Sequence, residues 1–253
     1  MSLVSIVFSP TGGTQKTAGL LWKELGKPER QIDLCNAAAS FSEIALQPED
    51  VALIAVPSYG GRVPTLAAQR LSQIRANGAR CVLLCVYGNR AYEDTLAEMQ
   101  ALAKGCGFTV IAAVAAVAEH SIARKIAAGR PDQQDEQKLS SFAAQIQQKL
   151  EGGGALSAAL PGNIPQKSAG GMGMVPKTTS ACNGCKLCAQ RCPAQAIHYD
   201  NPKVIDSKKC ISCMRCVSIC PQHAKKLNGL LLKGVSLVLG KACAGRKEPE
   251  LFL

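Results

Sequence analysis

Along the first 150 residues, short apolar runs alternate with longer stretches whose apolar positions recur every three or four residues. Unbroken apolar runs suit strands covered on both faces, and the spacing between them suits helical crossovers. The pattern predicts strands at Leu3–Phe8, Gln31–Leu34, Val51–Val56, Cys81–Val86 and Val110–Val117. It predicts helices at Thr14–Leu25, Thr65–Asn77, Tyr92–Cys106 and Asp132–Leu150, with just a short helix near Ser42–Ala45 in the second connection. Five parallel strands joined by right-handed crossovers make a doubly wound α/β sandwich.

The pattern changes at Glu151. Up to Thr179 it holds seven glycines (Gly152, Gly153, Gly154, Gly162, Gly170, Gly171 and Gly173) and three prolines, the composition of a linker or a long packed loop. A cysteine-rich segment follows, then an apolar segment and a charged tail. The expected division is therefore 1–150, 151–179, 180–226, and a C-terminal helical extension with its tail at 227–253.

Thirteen cysteines invite a disulfide reading. Met1–Gly19, however, shows no charged start followed by an apolar run and a cleavage site. The longest membrane candidate, Leu227–Leu239, is broken by Lys233 and two glycines. A soluble cytoplasmic protein is expected, and in a reducing compartment short regular cysteine spacings point to metal ligation.

One spacing occurs twice: Cys182, Cys185, Cys188 and Cys192 before Pro193, then Cys210, Cys213, Cys216 and Cys220 before Pro221. This is C-x2-C-x2-C-x3-C-P, in which three cysteines wrap one iron–sulfur cubane and the fourth ligates the neighbouring one. Cys182, Cys185, Cys188 and Cys220 are accordingly assigned to one [4Fe-4S] cluster, and Cys210, Cys213, Cys216 and Cys192 to the other. Structural zinc also uses Cys-x2-Cys pairs, but as two separated pairs, which a tight triplet fits poorly. The segment Ser180–Lys226 resembles the bacterial two-cluster ferredoxins, a small α+β fold. Cys81, Cys85 and Cys106 fall at core positions of the first domain; Cys35 and Cys243 have no assigned role.

The cysteines also change the meaning of the charge. The chain carries a formal +11; residues 1–150 hold 15 Lys and Arg against 13 Asp and Glu, and residues 151–253 hold 14 against 5. Two clusters, each about 2− with four thiolates, lower the C-terminal excess to about +5. The basic balance is then largely compensation, with a remainder suited to an acidic redox partner. Aromatic residues make up 4% of the chain and no nucleic-acid motif appears, which argues against a DNA or RNA partner.

Ser9-Pro10-Thr11-Gly12-Gly13-Thr14 lies between the first strand and the first helix, where backbone N–H groups and the helix dipole favour a phosphate. It is neither a nucleoside-triphosphate loop nor G-x-G-x-x-G; an ordinary N-capped turn is the alternative. It resembles the flavodoxin phosphate loop, (S/T)-x-T-G-x-T, with Gly13 where many flavodoxins carry Asn. The third strand runs into Pro57-Ser58-Tyr59-Gly60-Gly61-Arg62-Val63-Pro64, and the fourth into Tyr87-Gly88-Asn89-Arg90-Ala91-Tyr92-Glu93-Asp94. Both lie at C-terminal strand ends, where open α/β sheets bind ligands.

Taken whole, the chain is similar to the flavodoxin–ferredoxin fusion proteins of anaerobic bacteria. That resemblance implies a flavodoxin-like sheet of order 2-1-3-4-5 with FMN held by Ser9, Thr11, Gly12, Gly13, Thr14, Ser58, Tyr59, Gly60, Gly61, Arg62, Gly88, Asn89 and Tyr92. Tyr59 or Tyr92 would stack on the ring, Gly60, Gly61 and Gly88 would let backbone approach its edge, and Arg62 and Arg90 would be cations near it. Tyr59 stands where flavodoxins usually have Trp. His120-Ser121, after the fifth strand, reaches the same edge and would touch flavin or substrate. Gly170–Met174 is expected at the domain contact, over the flavin.

The expected function is electron transfer: single electrons pass from a ferredoxin-like donor through two clusters to FMN. The protein would act as a carrier or as a reductase of a small-molecule acceptor, Tyr59, Tyr92 or His120 then being the proton donor. The alternative is a cluster-containing sensor or nucleic-acid-binding protein on a non-flavin scaffold. Leu227–Lys241 is either a membrane-associating segment or a helix packed on the protein's own surface.

Overall fold

The computed structural model describes residues 2–163 and 173–253. The first part runs β1 (Leu3–Val7), α1 (Gly13–Leu25), β2 (Arg30–Asp33), a single 3-10 turn at Phe41–Glu43, β3 (Val51–Pro57), α2 (Thr65–Leu71), β4 (Arg80–Tyr87), α3 (Thr95–Gly105), β5 (Thr109–Val117) and α4 (Gln133–Gly152). The second runs β6 (Lys177–Thr178), α5 (Leu187–Gln190), α6 (Arg215–Ser218), β7 (Lys225–Lys226), α7 (Gly229–Ala242) and β8 (Glu250–Phe252).

The large sheet has the order β2-β1-β3-β4-β5, all parallel, which is the flavodoxin-like winding. Its central strands read as continuous apolar runs because helices cover both faces. On one face Ile54, Leu83 and Ala113 meet Leu71 of α2 and Leu96 of α3. On the other, Leu53, Leu84 and Val114 meet Leu21 of α1 and Phe142 of α4. Burial of each such side chain contributes about 1.5–3 kcal/mol.

Three elements differ from the sequence pattern. α2 stops at Leu71, not Asn77, because the chain turns to lay Arg75 beside Ala45 in a parallel bridge. Asn77 then takes φ 52°, its side-chain amide donating to the Leu46 carbonyl (2.9 Å). The charged tail also supplies a strand, β8, which pairs antiparallel with β5 and sets Leu251 opposite Val114. The apolar C-terminal segment is a helix, α7, but it has no buried residue.

The cysteine segment folds as an internal repeat. Lys186 and Met214, each directly after the second cysteine of its motif, both have φ 61° and precede the one-turn helices α5 and α6. Further on, Gln195 (φ 49°) and His223 (φ 47°) sit two residues after Pro193 and Pro221. β6 and β7 pair antiparallel and tie the two ends of the segment together. Its buried apolar cluster comprises Cys188, Ala189 and Ile197, far less than the sheet domain has.

Candidate functional site

Parallel strands that share a direction bring their C-terminal ends to one edge, and there the structure opens a cavity of about 140 Å³. Thr11 lines it from the loop before α1, and Gly13 and Thr14 from the first turn of α1; Ser58, Tyr59 and Gly60 line it after β3, Gly88 after β4, and His120 and Ser121 after β5. The cysteine segment contributes as well: Ile211 and Ser212, between Cys210 and Cys213, line the same cavity.

The loop before α1 is shaped by Gly12, whose φ of 93° is the left-handed conformation that glycine adopts without strain. The Ser9 hydroxyl accepts from the Gln15 N–H (2.9 Å), so Ser9 braces the loop from behind and its side chain does not line the cavity. Gly12, at the N-cap, has no side chain to offer, so of the first-turn N–H groups of α1 Ser9 takes that of Gln15 and those of Gly13 and Thr14 have no capping side chain among the described residues. That arrangement suits an anion.

The Ser58 hydroxyl is hydrogen-bonded to that of Thr95 (2.8 Å). Tyr59 is half-buried, with its hydroxyl end near Cys213 and Cys35; burial first, and those thiols second, raise its pKa well above the ordinary tyrosine value. His120 accepts at Nδ1 from the N–H groups of Ile122 and Ala123 (both 3.1 Å), which leaves the ring proton on Nε2. Burial, with a smaller contribution from Arg90, lowers its pKa and favours the neutral ring. Gly88 permits this placement, since a Cβ there would lie 2.5 Å from His120 Cδ2.

Several residues expected at the cavity point elsewhere. Arg62 forks onto Glu98 (2.7 and 2.9 Å), because an ion pair within the fold satisfies the guanidinium better than an open cleft. Arg90 pairs with Glu93 (2.6 Å). The side of Gly61 where a side chain would stand is filled by Glu93, 2.4 Å from an ideal Cβ. The Tyr92 hydroxyl donates to Glu250 of β8 (3.1 Å), and its ring meets Tyr87 edge-on. Asn89 is buried, its amide donating to the Cys243 and Gly245 carbonyls (2.9 Å each). Gly61, Arg62, Asn89, Arg90 and Tyr92 thus shape the loops around the cavity without lining it, as their absence from its walls records. Of the expected cover at Gly170–Met174, residues 170–172 lie outside the described residues; Met174 is buried.

Two further cavities lie within the cysteine segment. Cys182, Cys185, Cys188 and Cys220 line one; Cys192, Cys210, Cys213 and Cys216 line the other. Each holds three cysteines of one motif and the last of the other. Among the described residues no three His, Cys, Asp or Glu side chains converge on a point for a single ion. Four thiols around one hollow match the donor set of a cubane. The Ala196 N–H donates to Cys192 Sγ and the Ala224 N–H to Cys220 Sγ, both at 3.3 Å, so backbone dipoles stand ready to stabilise thiolate charge in each repeat. Burial pushes the Cys213 thiol up to about 11 and the Cys216 thiol up to about 12, so a bound metal must displace their protons.

Lys225 is buried at the wall of the first of these hollows. Its ammonium donates to Thr178 Oγ1 (2.7 Å) and to the Pro202 carbonyl, and its charge favours the thiolate form of both Cys188 and Cys216. The two domains meet through Arg70, which donates to the Leu34 carbonyl at the end of β2 and to the Pro193 carbonyl of the first motif (2.7 Å each). Sequence reasoning missed Ile211, Ser212, Cys35, Arg70 and Lys225. The motif spacing marks Ile211 and Ser212 as inter-ligand residues, but nothing local says which domain face they meet.

Residues 174–227 match the family model described as 4Fe-4S dicluster domain. Over 47 residues the chain is 49% identical to a component of the ion-translocating oxidoreductase complex of Methanosarcina acetivorans; the match covers 18% of each chain. Solved structures similar to the N-terminal part include a Streptococcus pneumoniae flavodoxin (20% identity, 58% of this chain and 99% of that one, TM-score 0.40). Another is the rubredoxin oxygen:oxidoreductase of Desulfovibrio gigas (16% identity, 59% and 36%, TM-score 0.42). At these scores the assignment of the first domain rests on its own strand order. The chain joins a flavodoxin-like α/β domain to a 4Fe-4S dicluster domain.

Proposed function

We propose that this chain is an iron–sulfur flavoprotein that moves single electrons between two [4Fe-4S] clusters and an FMN in the sheet-edge cavity. The observation that carries the reading is that Ile211 and Ser212, between two expected cluster ligands, share that cavity with Thr11, Thr14 and Tyr59. Clusters exchange one electron at a time and a flavin one or two, which is the chemistry the bound groups supply.

The chain's own residues have distinct tasks. Thr11, Gly13 and Thr14 bind the phosphate, and Tyr59 and Gly60 bound the ring, with Tyr59 joining the ring site to Cys213. Ligation by Cys210, Cys213, Cys216 and Cys192 makes that cluster the proximal one. The other set, Cys182, Cys185, Cys188 and Cys220, includes Cys185, which is exposed, and makes the distal cluster the exchange point for an outside partner. Lys186 beside it suits an acidic, ferredoxin-like donor. His120, neutral and with its proton on Nε2, favours use of the cavity by a reducible acceptor in addition to simple carriage.

The test is anaerobic purification with iron, sulfide and flavin quantified, followed by stepwise reductive titration. About eight iron atoms per chain and one FMN are expected. Iron without flavin would reduce the first domain to a scaffold, and two zinc ions in place of iron would end the proposal.

A further inference from the structure

α7 is apolar on nearly every side, yet it buries nothing. Leu230 is 81% exposed, Leu237 77% and Val238 75%, with Leu231 also open. Just one row, Leu232, Val235 and Leu239, is half-buried. A helix of this composition is ordinarily buried in a protein or in lipid. It is not a frayed end. Asn228 caps its start by accepting from the Leu230 N–H (2.9 Å), and Asn89, at the tip of β4, holds the Cys243 and Gly245 carbonyls just past its end. The fold therefore presents this face from two fixed posts.

The charge around it decides the occupant. From residue 207 to residue 247 the sequence has nine Lys and Arg and no Asp or Glu; of the nine, Lys225 is buried and Arg246 is ion-paired with Asp132. Lys233 and Lys241 stand exposed on the helix itself, with no ion pair among the described residues. The open residues are aliphatic, without the Trp, Tyr or Arg anchors that dominate protein interfaces. Fourteen residues rise about 21 Å, too short to cross the hydrocarbon layer, and no helix among the described residues is long and apolar enough to do so.

We propose that α7 lies in the surface of an anionic lipid bilayer, with Leu230, Leu231, Leu237 and Val238 among the acyl chains and Lys233 and Lys241 at the headgroups. The lipid class is set by charge, not by a specific headgroup. This holds whatever occupies the sheet-edge cavity, so it stands apart from the cofactor reading.

The test is co-sedimentation of the anaerobically purified full chain with phosphatidylcholine vesicles containing phosphatidylglycerol, and with vesicles of phosphatidylcholine alone. Binding to the anionic vesicles is expected, with much weaker binding to the neutral ones. A triple variant, Leu230→Ser, Leu237→Ser and Val238→Ser, should lose on the order of tenfold or more, and Lys233→Gln or Lys241→Gln roughly fivefold each. The visible absorption spectrum should stay unchanged in every variant, because none of these side chains is buried. Failure of the wild-type chain to sediment with anionic vesicles would overturn the proposal. So would unimpaired sedimentation of the triple variant, or a concentration-dependent dimer that the triple variant abolishes while vesicle binding is absent.

Discussion

The two halves of this chain solve the problem of stability differently. The sheet domain buries two apolar faces, one against α2 and α3 and one against α1 and α4. The cysteine segment owns a buried cluster of Cys188, Ala189 and Ile197, two short strands and two one-turn helices. Ordering a residue costs about 1–2 kcal/mol of backbone entropy, which so small a core cannot offset. The first domain folds by excluding water; metal ligation would supply what the core of the second lacks.

The largest expected effect follows directly. Removing iron with a chelator under reducing conditions should unfold residues 174–227 and leave the sheet intact. Hydrogen exchange would show complete loss of protection at Ala196 and Ala224, with Leu53 and Leu84 still protected. Equal loss in both regions would mean that the halves are not independent. In the opposite direction, Leu84→Ala should cost about 2–5 kcal/mol in the sheet domain while iron content per folded chain is unchanged. Urea unfolding followed by the fluorescence of Trp22, the single tryptophan, reads this out.

Lys225 is a buried cation whose charge acts on Cys188 of one hollow and Cys216 of the other, so it matters more to charge than to shape. Lys225→Gln should therefore leave iron content intact and lower the reduction potential of the bound iron by on the order of 50–100 mV, measured by electrode-poised spectroscopy. The smallest effect is at the start of α4. Asp132 accepts from the Gln134 and Asp135 N–H groups (3.1 Å each) and pairs with Arg246 of the tail, which holds its carboxyl below the usual range. A carboxyl depressed in the folded state contributes stability above its unfolded pKa of about 3.9 and loses it as pH falls toward the folded value. Asp132→Ala should cost about 1 kcal/mol at pH 7, and the gap from the wild type should narrow on acidification below pH 4.

The two halves also differed in how far the sequence exposed them. The five parallel strands were legible to within a residue or two, because burial on both faces leaves unbroken apolar runs. α2 was overrun because Gln69 to Ala76 has a helical pattern, while the bridge from Arg75 to Ala45 depends on a partner thirty residues earlier. β8 escaped for a similar reason: Glu250–Phe252 becomes a strand just because the β5 edge is free to accept it. At the cavity, glycines and hydroxyls at strand ends drew attention to the right loops. Which side chains face inward was not legible, since Arg62, Asn89 and Tyr92 are turned away by Glu98, by the tail carbonyls and by Glu250. The repeated cysteine spacing displays the module at once, but not that Ile211 would meet the sheet edge.

Everything proposed for the site requires the cysteine module and the sheet-edge cavity to form one electron path within a single chain. Flash reduction of the anaerobically purified protein, followed at separate flavin and iron–sulfur wavelengths, tests it most directly. The account predicts a first-order exchange whose rate is independent of protein concentration and falls in Arg70→Ala, which loses the link to Pro193. A rate that scales with protein concentration would place the transfer between molecules and contradict the account.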